Sequence, residues 1–216
     1  EIEASLSSGG VDLLICDTAI EDSRINEMTR RVRHQELGSN PFPVMITITD
    51  NPTPESIQEI IDSGADGLLA KPVSTGKLVE RVLMLAKERK LFVVTSDYIG
   101  PTRRKEPRLG TEKIPEIEVP NPVKLKASGT VDSDALRNDI EWNARILDEL
   151  RLGRCMVQFE YLSDHIRTSF TAAVPEESIP PLANRLWSVA KDMGRRLARS
   201  EHTDVVPLCR PVQDLA

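Results

Sequence analysis

The chain has 216 residues, of which 39% are hydrophobic and 29% are charged, and its formal net charge is -6. These values are ordinary for a soluble globular protein, and the acidic balance excludes nucleic-acid binding through an overall positive charge. No apolar stretch approaches the roughly 18 residues of a membrane-spanning helix, and no basic-then-apolar leader opens the sequence. Three widely separated cysteines without a CxxC pair exclude a zinc ribbon and a disulfide scaffold, and they predict a cytoplasmic protein.

The first region, residues 1–96, alternates strand-like and helix-like segments. "VDLLICD" (11–17), "PVMITIT" (43–49) and "GLLAK" (67–71) are the short apolar runs of strands buried on both faces. Thr53 and Ser74 are placed to cap helices after the second and third runs. This alternation predicts a parallel sheet with helical crossovers, an α/β fold.

Residues 97–130 are rich in proline and contain the basic cluster "TRRKEPR". We interpret this segment as a semi-extended linker whose basic cluster is solvated. "LFVVTS", just before it, is read either as a short extra strand or as an extended tail.

Residues 131–204 change to a helical period and predict a helical module, followed by an irregular tail, 205–216. Each of three predicted helices carries one apolar seam and a charged opposite face. The seams are Leu136, Ile140, Ala144, Leu147 and Leu150; Cys155, Phe159, Leu162, Ile166 and Phe170; and Leu182, Leu186, Val189, Met193 and Leu197. The pattern favours dimerisation or partner docking over a helix-turn-helix, so DNA is not an expected partner.

The layout "LLICD", "MITIT" and "GADGLLAKP" resembles the receiver domain of bacterial two-component response regulators over roughly residues 1–90. The most specific piece is "SGADGLLAKP", and Thr49 and Lys71 lie 22 residues apart, as in that family. The resemblance implies a flavodoxin-like parallel sheet that lacks its first strands in the sequence as it stands.

The same resemblance implies roles for individual residues. Asp17 would accept a phosphoryl group from a sensor histidine kinase, and Thr49 and Lys71 would bind that group. Pro72 would follow Lys71 through a cis peptide bond, which places the ammonium over the site. A carboxylate attacks an anionic phosphoryl donor only where nearby positive charge is preorganised, so the residue types suit this chemistry.

Three departures from the family pattern bear on the site. The acidic pair that would bind Mg²⁺ is missing, which leaves Asp17 and the backbone carbonyl of Ala19 as ligands. We therefore expect the sequence to be a piece of a longer protein, with Mg²⁺ as cofactor only if that pair exists upstream. Asp50 stands where a small residue is usual and would repel the product, and Leu68 replaces an aromatic switch residue.

His165, in "LSDHIRTSF", superficially resembles the phosphoacceptor box of histidine kinases, but its order and spacing differ. We read it as a partly buried helical histidine, and we read Trp142 and Trp187 as core residues.

The predicted function is that of a cytoplasmic response regulator, a phosphoacceptor rather than an enzyme, which signals through a helical homodimer. Two alternatives stay open: a degenerate receiver that acts as a scaffold, and a histidine phosphotransfer protein that uses His165.

Overall fold

The computed structural model of the chain describes residues 2–19, 24–103, 114–129, 132–171 and 179–213. They form two compact units, Glu1–Ala144 and Arg145–Ala216, and the boundary falls inside a long helix. In chain order the elements are α1 (Ile2–Ser7), β1 (Leu13–Asp17), α2 (Arg24–Arg33), β2 (Val44–Thr49), α3 (Pro54–Asp62), β3 (Gly67–Ala70), α4 (Thr75–Lys87), β4 (Phe92–Val94), β5 (Ile99–Pro101), β6 (Glu116–Ile117), α5 (Pro122–Ala127), α6 (Ser133–Thr171), α7 (Ile179–Leu197), a 3-10 turn (Thr203–Val205) and α8 (Val206–Gln213).

A parallel sheet in the order β1-β2-β3 lies in the first unit. Asp17, the last residue of β1, pairs with Ile48, and Thr49, the last residue of β2, pairs with Ala70. The central strand β2 is buried along almost its whole length, as expected for a continuous apolar run. The predicted fold class is confirmed: the chain is α/β, with a receiver-like parallel sheet followed by a helical region.

The helices after β2 and β3 begin at the predicted capping residues. Thr53 Oγ1 accepts a hydrogen bond from the Ser56 amide, and Ser74 Oγ accepts one from the Lys77 amide, both at 3.3 Å. Each bond satisfies an amide that the first turn of a helix leaves without an intrahelical partner. After α3 the chain turns through Gly64 at a φ of 92°, where a Cβ would lie 2.6 Å from the Ile99 carbonyl oxygen. This turn therefore requires glycine.

The proline-rich segment is part of the first unit wherever the structure describes it. The strand β4 pairs antiparallel with both β5 and β6, so "LFVVTS" contributes an extra strand. The helix α5 lies against the sheet core through Val123, which packs on the cluster of Val44, Ile46 and Leu85. Residues 97–103 and 114–129 thus hold strands and a helix where a semi-extended linker was predicted. Residues 104–108 of the basic cluster lie outside the described residues. The predicted domain limits of 1–96, 97–130, 131–204 and 205–216 stay predictions.

A buried ion cluster ties these elements together at the amino end of β3. Asp66 accepts hydrogen bonds from Arg33 at 2.7 Å and from Arg89 at 2.9 Å, and all three side chains are almost fully buried. The guanidinium carbons of both arginines lie about 5 Å from the ring centroid of Phe92, at 5.0 and 4.9 Å. Arg89 also donates to the Pro120 carbonyl at 2.6 Å, which fastens the proline-rich segment to the sheet. Arg33, Asp66 and Arg89 together form this buried ion cluster.

The second unit is built on a pair of helices whose predicted seams pack on each other. Cys155, Leu162 and Val189 form its buried core, and Phe159, Leu182, Leu186 and Met193 pack against them. Two predictions were wrong here. The first two seams lie on one continuous helix, α6, and the predicted irregular tail forms α8. A 39-residue helix forms because no proline or β-branched run interrupts residues 133–171.

Three aromatic residues of α6 are not in the core. Trp142 and Tyr161 are each 64% exposed and Phe170 is 70% exposed, so the core assignment of Trp142 was wrong. Trp187 is partly buried, and its ring centroid lies 4.9 Å from Lys191 Nζ.

Charged residues also enter the interior of the second unit. Asp192 accepts hydrogen bonds from Arg151 at 2.8 Å and from Arg196 at 3.0 Å, and Arg196 also pairs with Asp148. Although burial by itself raises the pKa of Asp192, the charges of Arg196 and Arg151 hold it well below its usual range. Among the described residues, none of the helices combines the length and the apolar character that crossing a membrane requires.

Candidate functional site

The side chains of Asp17 and Lys71 meet at the carboxyl end of the parallel sheet. Asp17 ends β1, and Lys71 follows the last residue of β3, where its amide donates to the Thr49 carbonyl at 2.8 Å. The Nζ of Lys71 lies 2.6 Å from Oδ2 of Asp17. The peptide bond between Lys71 and Pro72 is cis. The geometric prediction for this pair is therefore confirmed, whereas the roles assigned to the two residues stay predictions.

The backbone holds the Asp17 carboxylate from its other side. Its Oδ1 accepts a hydrogen bond from the Ala19 amide at 3.0 Å, an interaction that sequence reasoning missed because it assigned Ala19 only a carbonyl role. An aspartate side chain that accepts a hydrogen bond from the amide two residues later forms a common local turn. An aspartate at the end of a strand is therefore a sequence signal that could have predicted this bond.

Electrostatics at the site favour the charged forms of both partners. The hydrogen bond from Lys71, followed by that from Ala19, lowers the pKa of Asp17 below its usual value. The hydrogen bond to Asp17 raises the pKa of Lys71, with a smaller contribution from the charge of Asp50. The side chains are 24% exposed for Asp17 and 36% exposed for Lys71, so the pair is open to an incoming molecule.

Thr49 lies beside this pair at the end of β2 but is 1% exposed. Its Oγ1 accepts a hydrogen bond from the Asn51 amide at 3.2 Å. A hydroxyl both donates and accepts, so this bond leaves the hydroxyl proton as a donor for a ligand oxygen.

The three residues predicted to shape the site occupy different environments. Asp50 and Pro72 are exposed, and Asp50 is close enough to Lys71 to affect its pKa. Leu68 is half-buried in β3, where it pairs with Thr47 of β2. At this position the apolar leucine side chain fills space on a face of the sheet. It has no aromatic ring that could change orientation.

The described residues do not fit a Mg²⁺ site by themselves. Magnesium requires six oxygen ligands in near-octahedral geometry, usually with more than one carboxylate. Here Asp17 already bonds Lys71 and the Ala19 amide with its two oxygens. Within the described ranges, no group of three or more histidine, cysteine or acidic side chains could hold a metal.

His165 lies in the second unit and is exposed, so the prediction of a partly buried histidine was wrong. Its ring stacks on Tyr161 at 5.8 Å between centroids with an interplanar angle of 8°.

Comparison with known proteins finds a partial relative. The chain is 34% identical over 82 residues to the swarming motility regulation protein RssB of Serratia marcescens. The match covers 38% of this chain and 36% of that protein, so the chain spans about a third of the length of the relative it matches. No protein-family model matches the chain, and no solved structure matches it.

Proposed function

We propose that the protein is a response regulator in which Asp17 accepts a phosphoryl group from a histidine kinase. The observation that carries the proposal is the Asp17–Lys71 pair, with 2.6 Å between Oδ2 and Nζ at the carboxyl end of a parallel sheet. Ligands of open α/β sheets bind at this edge. The partial similarity to a regulator of swarming motility supports a regulatory role.

The chemistry follows from the side chains at this edge. A carboxylate oxygen of Asp17 attacks phosphorus, the bond from phosphorus to the leaving group breaks, and the leaving group keeps the electron pair. The ammonium of Lys71 passes from the carboxylate to a phosphoryl oxygen and neutralises the charge there. The Thr49 hydroxyl donates to a second phosphoryl oxygen. Asp17 is thus an acceptor that the protein itself activates, and the protein is not an enzyme with a separate substrate.

The phosphorylated protein signals by association through its C-terminal helices as a homodimer, and it does not bind DNA. All three cysteines are free, which suits a reducing compartment, and we place the protein in the cytoplasm.

The test is labelling by radioactive acetyl phosphate in buffer that contains Mg²⁺. Asp17→Asn should abolish labelling, because only a carboxylate forms the acyl phosphate. Asp12→Asn is the matched control, since Asp12 precedes the same strand and pairs with Lys126 instead. Labelling that persists in Asp17→Asn would eliminate Asp17 as the acceptor.

A scaffold role is the first alternative. The charge of Asp50 beside Lys71 and the deep burial of Thr49 favour it, because both hinder a phosphoryl group. A parent protein that takes no label, in a folded state, would support this alternative.

Phosphotransfer through His165 is the second alternative, and the exposure of the ring favours it. Mild acid separates the two acceptors, since aspartyl phosphate survives it and histidyl phosphate does not.

A further inference from the structure

The face of α6 that points away from α7 carries exposed apolar residues. Val157 lies about 160° around the helix from Cys155, which is buried in the core that α6 and α7 share. Val157 is 65% exposed, and Tyr161, one turn later, is 64% exposed. One turn before Val157, a Cβ placed on Gly153 would meet nothing within 4 Å, so the helix surface is open there. Exposed apolar residues grouped in this way mark a contact surface.

Charges of opposite sign lie on the two sides of this apolar line. At about 100° per residue, Glu149 and Glu160 lie about 60–80° from Val157 on one side. Arg154 and His165 lie at similar angles on the other side. Each acid precedes a basic residue by five positions, and the two pairs repeat after about three turns of helix. The apolar line therefore has an acidic flank and a basic flank. We call these residues together the Val157 face: Glu149, Gly153, Arg154, Val157, Glu160, Tyr161 and His165.

We propose that the Val157 face binds the same face of a second copy of the chain, with the two α6 helices parallel, in register and related by a twofold axis between them. In a parallel pair, each residue of the central line meets its own counterpart, and each flank meets the opposite flank of the other helix. A residue on one flank then lies beside the residue five positions later on the other copy. Each Glu149 therefore meets Arg154 of the other copy, and each Glu160 meets His165 of the other copy.

The parallel direction follows from charge. An antiparallel pair would set each flank against the same flank of the other helix, so Glu149 and Glu160 would face acids. Like charges that face each other are destabilising. The parallel pair instead gives each of the two acids a basic partner, and it is therefore the favoured direction.

The central line can pack closely on its counterpart. Gly153 has no side chain, so the backbones of the two helices can approach each other at this position. Val157 and the half-buried Leu150, about one turn to either side of Gly153, then contact their counterparts. The Tyr161 ring stacks on His165 of its own helix, with 5.8 Å between the centroids, and this stack holds the His165 ring on the basic flank. The face thus combines apolar contact along its line with charge pairs on its flanks.

One contact of this arrangement is unfavourable. Asp164, about one turn after Tyr161, would face Asp164 of the other copy. Its carboxylate already accepts a hydrogen bond from Arg167 at 2.8 Å, and the charge of Arg167 lowers the repulsion. The apolar contact therefore ends at Tyr161.

This contact supplies the association step and in that respect rests on the proposed function, but it is independent of phosphoryl acceptance by Asp17. Loss of the contact would leave labelling of Asp17 in place, and loss of labelling would leave the contact in place. The two proposals therefore fail separately.

Disulfide trapping in the full chain tests the contact. Gly153→Cys should form a covalent dimer on oxidation, because the two positions 153 face each other across the contact within disulfide reach. Met156→Cys is the control and should not crosslink, since position 156 is exposed but lies about 100° around the helix from Val157. The parent should not crosslink either, because its three free cysteines are buried. No crosslink in Gly153→Cys, or equal crosslinking in Met156→Cys, overturns the proposal.

A second crosslink separates the two directions of pairing. In a parallel pair, position 153 of one copy and position 161 of the other lie about 12 Å apart along the helices, beyond disulfide reach. Gly153→Cys protein and Tyr161→Cys protein labelled with nitrogen-15, mixed and oxidised, should therefore crosslink within each variant, as mass spectrometry of the dimers will show. A dimer that contains one of each variant as the main product would indicate an antiparallel pair and overturn the proposal.

Charge reversal tests the flanks in solution by sedimentation. Glu149→Arg should weaken dimerisation about tenfold, because it sets two pairs of like charges against each other in the dimer. The double variant with Arg154→Glu should restore dimerisation, since the charges in each pair are again opposite in sign. Glu141→Arg, the same change at an exposed position about 160° around α6 from Val157, is the control and should dimerise like the parent.

Circular dichroism establishes that each variant keeps the helix content of the parent. A parent that sediments as a monomer at about 50 μM, where complexes with micromolar dissociation constants are mostly formed, overturns the proposal and leaves this face to a different partner. A Glu149→Arg variant that dimerises as tightly as the parent also overturns it.

Discussion

The strand β3 has an aspartate paired with basic side chains at each of its ends, and the two pairs differ in burial. At the amino end, Asp66 and its two arginines are almost entirely shielded from water. At the carboxyl end, Lys71 and Asp17 keep 36% and 24% of their side-chain surface exposed. A buried pair fixes structure because neither partner can exchange its contact for water, whereas an exposed pair can open to receive a ligand. Burial therefore separates the structural end of the strand from the exposed end, where we propose that Asp17 accepts a phosphoryl group.

The largest effect is expected from Asp66→Asn, which leaves Arg33 and Arg89 buried without a carboxylate. Removal of one partner from a buried ion pair costs about 3–5 kcal/mol of unfolding free energy. Urea unfolding followed by circular dichroism measures this loss. Asp17→Asn is the matched control and should leave the urea midpoint close to that of the parent, because its pair is exposed. Equal losses in the two variants would contradict the distinction between the two ends.

The stability that Asp66 contributes also depends on pH. Although burial by itself raises the pKa of Asp66, the charges of Arg89 and Arg33 outweigh it and lower the pKa below the usual value. A lowered folded-state pKa contributes stability above the unfolded value of about 3.9, and this contribution is lost as pH falls through the folded value. As the pH is lowered, the free energy of unfolding should therefore fall less in Asp66→Asn than in the parent.

The Asp17–Lys71 end was predicted because its residues resemble the receiver motif, whereas the buried end was not predicted. Asp17, Thr49 and Lys71 each follow an apolar run, and the carboxyl ends of parallel strands meet at one edge. Asp66 lies in "SGADG", and its arginines are 33 and 23 residues away along the chain. No local sequence pattern indicates an ion pair between residues so far apart in the chain.

The continuity of α6 was the other feature that the sequence did not predict. The apolar seams of α6 were visible, but two seams on successive stretches look alike whether the chain runs straight or turns between them. The exposure of His165 was also not predictable, because it lies next to the seam position Ile166 and a shift of one residue turns the side chain by about 100°. Trp142 lies two residues from both Ile140 and Ala144, about 200° around the helix from each, so its exposure follows from the pattern and was overlooked.

A smaller effect concerns the protonation of the Asp17–Lys71 pair. Lys71→Met should raise the pKa of Asp17 toward its ordinary value, because the hydrogen bond from Lys71 is the largest cause of the present depression. The stability that Asp17 contributes above its unfolded pKa, and that is lost as pH falls through the folded value, should shrink with it. Carbon-13 NMR of labelled aspartate follows the titration directly. Lys77→Met, one turn into α4, is the control, and an Asp17 titration that stays unchanged in Lys71→Met would contradict the pairing.

The smallest effect is expected from Asp50→Asn, which removes a negative charge near Lys71 without removing a ligand of the phosphoryl group. Its charge contributes to the raised pKa of Lys71, so the variant should lower that pKa. It should also speed labelling by acetyl phosphate about twofold to fivefold, the effect of a screened repulsion of less than about 1 kcal/mol. Glu59→Gln, an equal change of charge on the exposed surface of α3, should leave the labelling rate unchanged. Faster labelling in both variants would indicate a general effect of net charge. An unchanged rate in Asp50→Asn would mean that this carboxylate does not restrict access to Asp17.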